Sequence, residues 1–225
     1  MTQGARGAHD GRPGGRAQKR PPSAGAPARE RELRAQGRET RGKLLDAGRD
    51  AFDQRGFHAV RVEDVVKAAR TSHGTFYLYF ANKEDLFKAL AMEALHDMEG
   101  IAGQFPTVAP DDGGREALRT WVQEFCDTWS AHAAVISILW SQHEELGDDL
   151  AGAGLQLLFR LSEAMTQGMT GTSAEPPKHA ELTAVACLMM MERVNYLLSI
   201  GVKMPRAEMV DRLSSIMFAA FHAAG

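Results

Sequence analysis

Between Ser72 and Leu86 the chain reads SHGTFYLYFANKEDL. Two helix-start signals frame this stretch. Ser72 and Asn82 are both good N-caps, and Asp85 follows Asn82 at the third helical position. The helix between them is confined to about His73–Phe80. Phe76 and Phe80, spaced i, i+4, share one of its faces and are expected to anchor it on a small core.

That core is legible upstream. Leu44, Leu45, Gly48, Ala51 and Phe52 fall on one face of a helix that should begin near Arg38 and end at Gly56, a candidate left-handed cap. Val62, Val65, Val66 and Ala69 keep helical spacing in a second, short helix. Two short helices joined by a tight turn between Ala69 and His73 make a helix-turn-helix candidate over about 61–80. His73 with Tyr77, and Thr75 with Tyr79, are left on the outward faces, and Gly74 lets the backbone approach another surface. Hydroxyls and an imidazole on a rigid short helix suit a major groove, where they reach phosphates and base edges.

Lys83 lies in the first turn of the next helix, where the macrodipole disfavours a cation by about 0.3–1 kcal/mol. A docked phosphate would relieve the conflict. A side chain pointing to water beside Glu84 and Asp85 fits the sequence equally well.

The rest of the chain reads as helix too. A long fourth helix carries Leu86, Phe87, Leu90, Ala91, Ala94, Leu95 and Met98 to about Gly100. Beyond a loop at 106–114, helical patterns run near 115–130, 132–145, 148–168, 177–200 and 205–223. No strand pairing or βαβ spacing is evident, so the expected class is all-α: an amino-terminal helix-turn-helix domain and a helical carboxy-terminal domain.

Charge is unevenly placed. Met1–Lys43 holds 11 Lys and Arg against 4 Asp and Glu, while the remainder holds 15 against 25. Residues 1–37, rich in Gly, Pro, Ala and Arg, read as a disordered basic arm: a polyanion-binding tail or a solvated one. Two cysteines, Cys126 and Cys187, make no disulfide framework and suit a reducing, cytoplasmic setting. No apolar run approaches the roughly 18–20 residues that span a bilayer, so no membrane partner is expected. Nor does the amino terminus carry the apolar segment of a secretory signal.

Enzyme chemistry finds little support. A di-iron helical bundle needs two Glu-x-x-His pairs, and only Glu93–His96 is present. Nucleophile-elbow and zinc-protease motifs are absent, so neither metal nor cofactor is expected.

The block GFHAVRVEDVVKAARTSHGTFYLYFANKEDLF (56–87) resembles the amino-terminal DNA-binding domain of the tetracycline-repressor (TetR) family, over about 38–98. The resemblance implies that Tyr77 and Lys83 contact phosphates of double-stranded DNA. It also implies that Ser72, His73, Gly74 and Thr75, with Tyr79, lie closest to the groove. Three positions depart from the family pattern. Arg61 stands where a Thr or Ser opens the second helix and binds phosphate; it loses an N-cap worth near 1 kcal/mol but offers a cationic contact. Arg70 replaces the turn glycine, at a cost of roughly 1 kcal/mol if the left-handed conformation is kept. Val66 replaces a common Ala.

In 101–225 the resemblance implies an effector-binding and dimerisation domain. Trp121, Phe125, Trp129, Trp140, Phe159, Met165, Met169 and Met189–Met191, Met190 among them, are the candidate walls of a pocket for a small apolar or aromatic effector of unknown identity; an ordinary core would use the same residues. His143, Glu144, Asn195 and Tyr196 are candidates for its polar contacts. On the last helix Met209, Leu213, Ile216 and Ala220 form one stripe, and Val210, Met217 and Phe221 another. With the apolar face of 180–200 they are expected to form a homodimer interface, the alternative being a final helix buried within the monomer. The implied function is a repressor released by its effector from a pseudo-palindromic operator; a DNA-binding protein without an effector is the other reading.

Overall fold

The structure is a computed structural model, and it describes residues 28–141, 148–170 and 179–222. The chain divides into two compact units, Met1–Glu39 and Thr40–Gly225. Among the described residues every regular element is a helix: α1 (Ala28–Ala59), α2 (Val62–Ala68), α3 (His73–Tyr79), α4 (Lys83–Ala102), α5 (Asp112–Ala131), α6 (Ala133–Ser141), α7 (Asp148–Thr170), α8 (Ala180–Ser199) and α9 (Arg206–Phe221). The all-α expectation is met, with a helix-turn-helix at the amino-terminal end and a helical body after it.

The first helix starts earlier than its apolar pattern implies. Residues 28–37, expected within the disordered arm, are helical. This stretch, ARERELRAQG, is made largely of Ala, Arg, Glu, Leu and Gln, all strong helix formers, so propensity supports it while Arg34–Gln36 and Arg38 stay exposed. The rest of the predicted arm, 1–27, lies outside the described residues. At the far end Gly56 breaks the helix as expected, but with φ 71° and ψ 165°. This is positive-φ backbone of the extended kind open almost only to glycine, rather than the left-handed helical cap.

The amino-terminal core gathers Leu44, Phe52 and Phe57 of α1, Val60, Val65, Phe76, Phe80 and the first half of α4 (Leu86, Phe87, Leu90). Phe52, Phe57 and Phe87 meet with ring centroids 5.2–5.7 Å apart, spacings at which aromatic pairs attract. Gly48 lets α1 lie close to α4, because a Cβ there would meet Leu86 Cδ2 at 2.7 Å.

The second half of α4 (Leu95, Met98, Ile101) belongs to the larger core of α5, α7, α8 and α9. Val135 and Ile138 of α6 and Leu150 of α7 in turn join the amino-terminal core. One continuous helix is thus built into both hydrophobic clusters. Arg49–Glu93 at 3.0 Å ties it to α1, and Arg160–Glu99 at 2.9 Å ties it to α7.

α5 begins before the predicted 115, because Asp111 caps it: its Oδ1 accepts from Gly114 N–H at 2.8 Å. The final helix corrects an expectation. Met209, Val210, Leu213, Met217 and Phe221 are buried within the chain, Met217 completely. Of the residues predicted for the dimer interface only Ile216, 52% exposed, and the half-buried Ala220 remain at the surface. Periodicity makes both stripes look surplus to the core, but α5 and α8 use most of them.

Candidate nucleic-acid interface and ligand cavity

α2 and α3 form the helix-turn-helix. Arg61 caps α2 with extended backbone and no side-chain bond of its own. The missing hydroxyl is replaced from the other side: the Asp64 carboxylate accepts from Arg61 N–H at 3.0 Å and pairs with Arg55 at 2.8 Å. The Arg61 N–H first, and Arg55 with it, holds the Asp64 carboxyl below its ordinary 3.8. The Arg61 side chain is thereby left exposed. At the turn Arg70 does keep the left-handed conformation, φ 52°, and Thr71 N–H closes the turn on Val66 O at 2.9 Å.

α3 opens at Ser72, whose Oγ accepts from Thr75 N–H at 3.0 Å and lies 2.9 Å from Thr75 Oγ1. The two hydroxyls therefore bond one another. Phe76 is fully buried and Phe80 nearly so, as the i, i+4 pair requires. Thr75 and Tyr79 are half-buried, so the outward face is narrower than expected. It comprises His73, Gly74, Tyr77 and a residue that the helical pattern does not single out, Leu78, which is 81% exposed. Only the position of Leu78 two residues from Phe76 and Phe80, off their face, signals this. Tyr77 stands edge-on against Phe76 at 5.5 Å, a contact that steadies its ring while the side chain stays exposed.

Lys83 takes a role that neither expectation covers. Its Nζ donates to Phe57 O at 3.0 Å, His58 O at 3.3 Å and Val60 O at 3.2 Å, and lies 4.8 Å from the Phe57 ring centroid. The ammonium has three N–H donors, and all three are used. It clamps the segment after the Gly56 break to the start of α4. Asn82 caps that helix, accepting from Asp85 N–H at 2.8 Å, while Asp85 accepts from Ala81 N–H at 3.0 Å.

In the carboxy-terminal body a cavity of about 370 Å³ lies among α4, α5, α6, α7 and α8. Ala94, Leu95 and Met98 of α4 line it, with Phe125 and Trp129 of α5, Leu158 and Leu161 of α7, and Leu188, Met189 and Glu192 of α8. Phe125, Trp129 and Met189 are thus the predicted wall residues brought together there. The others go elsewhere. Trp121 is core, its indole N–H donating to Ile101 O at 2.9 Å. Met165 is fully buried, Met190 is half-buried off the cavity, and Phe159 is 65% exposed. Asn195 is buried and spends its amide on Met191 O at 2.9 Å and Cys126 Sγ at 3.4 Å. Tyr196 lies under the Arg193 guanidinium, 5.3 Å from its ring centroid. His143 and Glu144, and the side chain of Trp140, lie outside the described residues. A larger depression of about 570 Å³, lined by Glu99, Arg160, Glu163 and Gln167, is polar and open.

Both thiols are buried, and desolvation raises them, Cys187 to about 11, so neither is a ready nucleophile. Among the described residues no cluster of three metal-ligating side chains occurs, and no helix is long and apolar enough to cross a membrane.

One helix, α4, thus joins an aromatic helix-turn-helix to a helical body. Residues 44–90 match the family model described as bacterial regulatory proteins, tetR family. HTH-type transcriptional regulator YdgC of Bacillus subtilis is 41% identical over 58 residues, 26% of this chain and 30% of the relative. The chain spans only about a third of the length of such curated relatives. Solved structures match more widely. A TetR-like transcriptional regulator from Rhodococcus sp. RHA1 is 25% identical with a TM-score of 0.59, covering 81% of this chain and 93% of that one. The fatty acid degradation regulator FadR from Bacillus halodurans is 20% identical with a TM-score of 0.63, covering 80% and 94%. Residues 44–90 thus carry a DNA-binding domain of the tetR family, and the rest of the chain shares the fold of these solved structures.

Proposed function

We propose that the protein is a cytoplasmic, dimeric transcriptional regulator whose DNA binding responds to a small apolar effector, with release of a repressed operator as the outcome. The observation that carries this is the double membership of α4. Its first half packs under the helix-turn-helix, and Ala94, Leu95 and Met98 on its second half form a wall of the cavity. An effector that favours one position of these residues biases the other end of the same helix, and it shifts the equilibrium by its differential affinity for the two states.

On DNA, His73, Tyr77 and Leu78 would face the groove, with Gly74 allowing close approach and Arg61 exposed at the start of α2. Ser72, Thr75 and Tyr79 support that face, and Lys83 positions it. Dimerisation would use the apolar side chains that α8 and α9 leave exposed: Leu182, Val185, Leu197 and Ile216. Two recognition helices would then meet successive major grooves, about 34–36 Å apart. The name of the Bacillus halodurans neighbour, a fatty acid degradation regulator, accords with a hydrocarbon-lined cavity of this kind.

The test is to fill the cavity. Met98→Trp places an indole where the effector would sit. The expected result is a variant that keeps its fold and no longer changes its DNA affinity when effector is added. A variant that responds as the parent does would remove the cavity from the mechanism.

A further inference from the structure

Among its described lining residues the cavity wall is hydrocarbon and aromatic save for one, Glu192, which alone is charged. It is half-buried, and among the described residues its carboxylate makes no hydrogen bond or ion pair. Arg193, whose charge acts on it, is exposed and lies over the Tyr196 ring. Burial pushes the Glu192 carboxyl above the ordinary carboxylate range, and Arg193 only partly offsets this. A desolvated carboxylate without a partner is a position that a ligand can complete.

We infer that the cavity selects a lipophilic amine, a hydrocarbon body with a cationic, hydrogen-donating head, with Glu192 as its counter-charge. This rests on reading the cavity as the effector site. A fatty carboxylate of the same length would bring a second negative charge into a site of low dielectric, where like charges repel strongly. An alcohol, able to donate but uncharged, falls between the two. The volume, about 370 Å³, suits a body of roughly ten carbons.

The experiment is calorimetric titration of the full chain with decylamine, decan-1-ol and decanoate, each kept below its aggregation concentration, repeated with Glu192→Gln. In the parent decylamine should bind at least about tenfold more tightly than decanoate, with decanol between. In Glu192→Gln that order should vanish. Equal or tighter binding of decanoate by the parent, or an unchanged order in the variant, overturns the inference and leaves the effector site standing. If none of the three binds the parent, the effector-site reading itself falls, and this inference with it. The ranking in the parent decides the matter even if the variant folds poorly.

Discussion

Replacing Lys83 by methionine separates the phosphate contact that the family resemblance implies from the carbonyl clamp in the structure. The substitution keeps the hydrocarbon stem and removes the charge that Phe57 O, His58 O and Val60 O share. Each hydrogen bond from a charged donor contributes about 1.5–3 kcal/mol, but the three share one half-buried ammonium and are counted as a single bond, and a partly buried cation over an aromatic ring adds about 0.5–1 kcal/mol. The side chain is half-buried, so the lower half of the combined range applies, and Lys83→Met should destabilise the fold by about 2–3 kcal/mol. Urea unfolding followed by circular dichroism reads this loss directly. The second readout is the slope of log DNA affinity against log salt. If Lys83 binds a phosphate, the substitution should lower that slope by about one unit. A clamp whose three donors are already used should leave the slope unchanged, with affinity falling only as far as the helix-turn-helix loosens. A variant as stable as the parent whose salt slope falls by one would refute the clamp and restore the phosphate-binding role.

Other perturbations test neighbouring claims. Arg70→Gly should stabilise by roughly 1 kcal/mol, raising Tm by a few degrees, since glycine carries no steric penalty at φ 52°; an unchanged or lower Tm would contradict the strained turn. The Asp64 carboxyl titrates below 3.8 in the folded state, so its contribution is full above that value and is lost as pH falls through the lowered one. The stability gap between parent and Asp64→Asn should therefore be wide at pH 7 and closed in strong acid, as urea midpoints at the two pH values would show; a gap independent of pH would exclude the carboxylate as its source. Ile216→Arg should yield monomers in analytical ultracentrifugation while leaving helix content intact, and a variant that stays dimeric places the interface elsewhere.

The local half of the molecule is legible in the sequence. Ser72, Asn82 and the Phe76–Phe80 pair act within a turn or two of themselves, so spacing alone places α3 and the start of α4. What the sequence hides depends on distant partners. The carbonyls that hold Lys83 lie 23 to 26 residues upstream and are presented only because Gly56 breaks α1. A tryptophan in a helical stripe reads the same whether it walls a cavity, as Trp129 does, or serves as core with its N–H on Ile101 O, as Trp121 does. Glu192 reads as the polar stop to an apolar run, yet packing sets it against the cavity. The stripes of α9 are real, but which of them meets α5 and α8 is a tertiary fact that helical periodicity does not carry.

The most direct test is selection of duplexes from a random pool by the full chain at low ionic strength, followed by anisotropy titration of the enriched sequence with the parent and with Tyr77→Ala. The expected result is a two-fold symmetric site, its halves about one helical turn apart, bound by the parent and weakened at least about tenfold by the substitution. A pool with no enriched sequence, or a Tyr77→Ala variant that binds as tightly as the parent, would contradict the assignment of α3 to the groove.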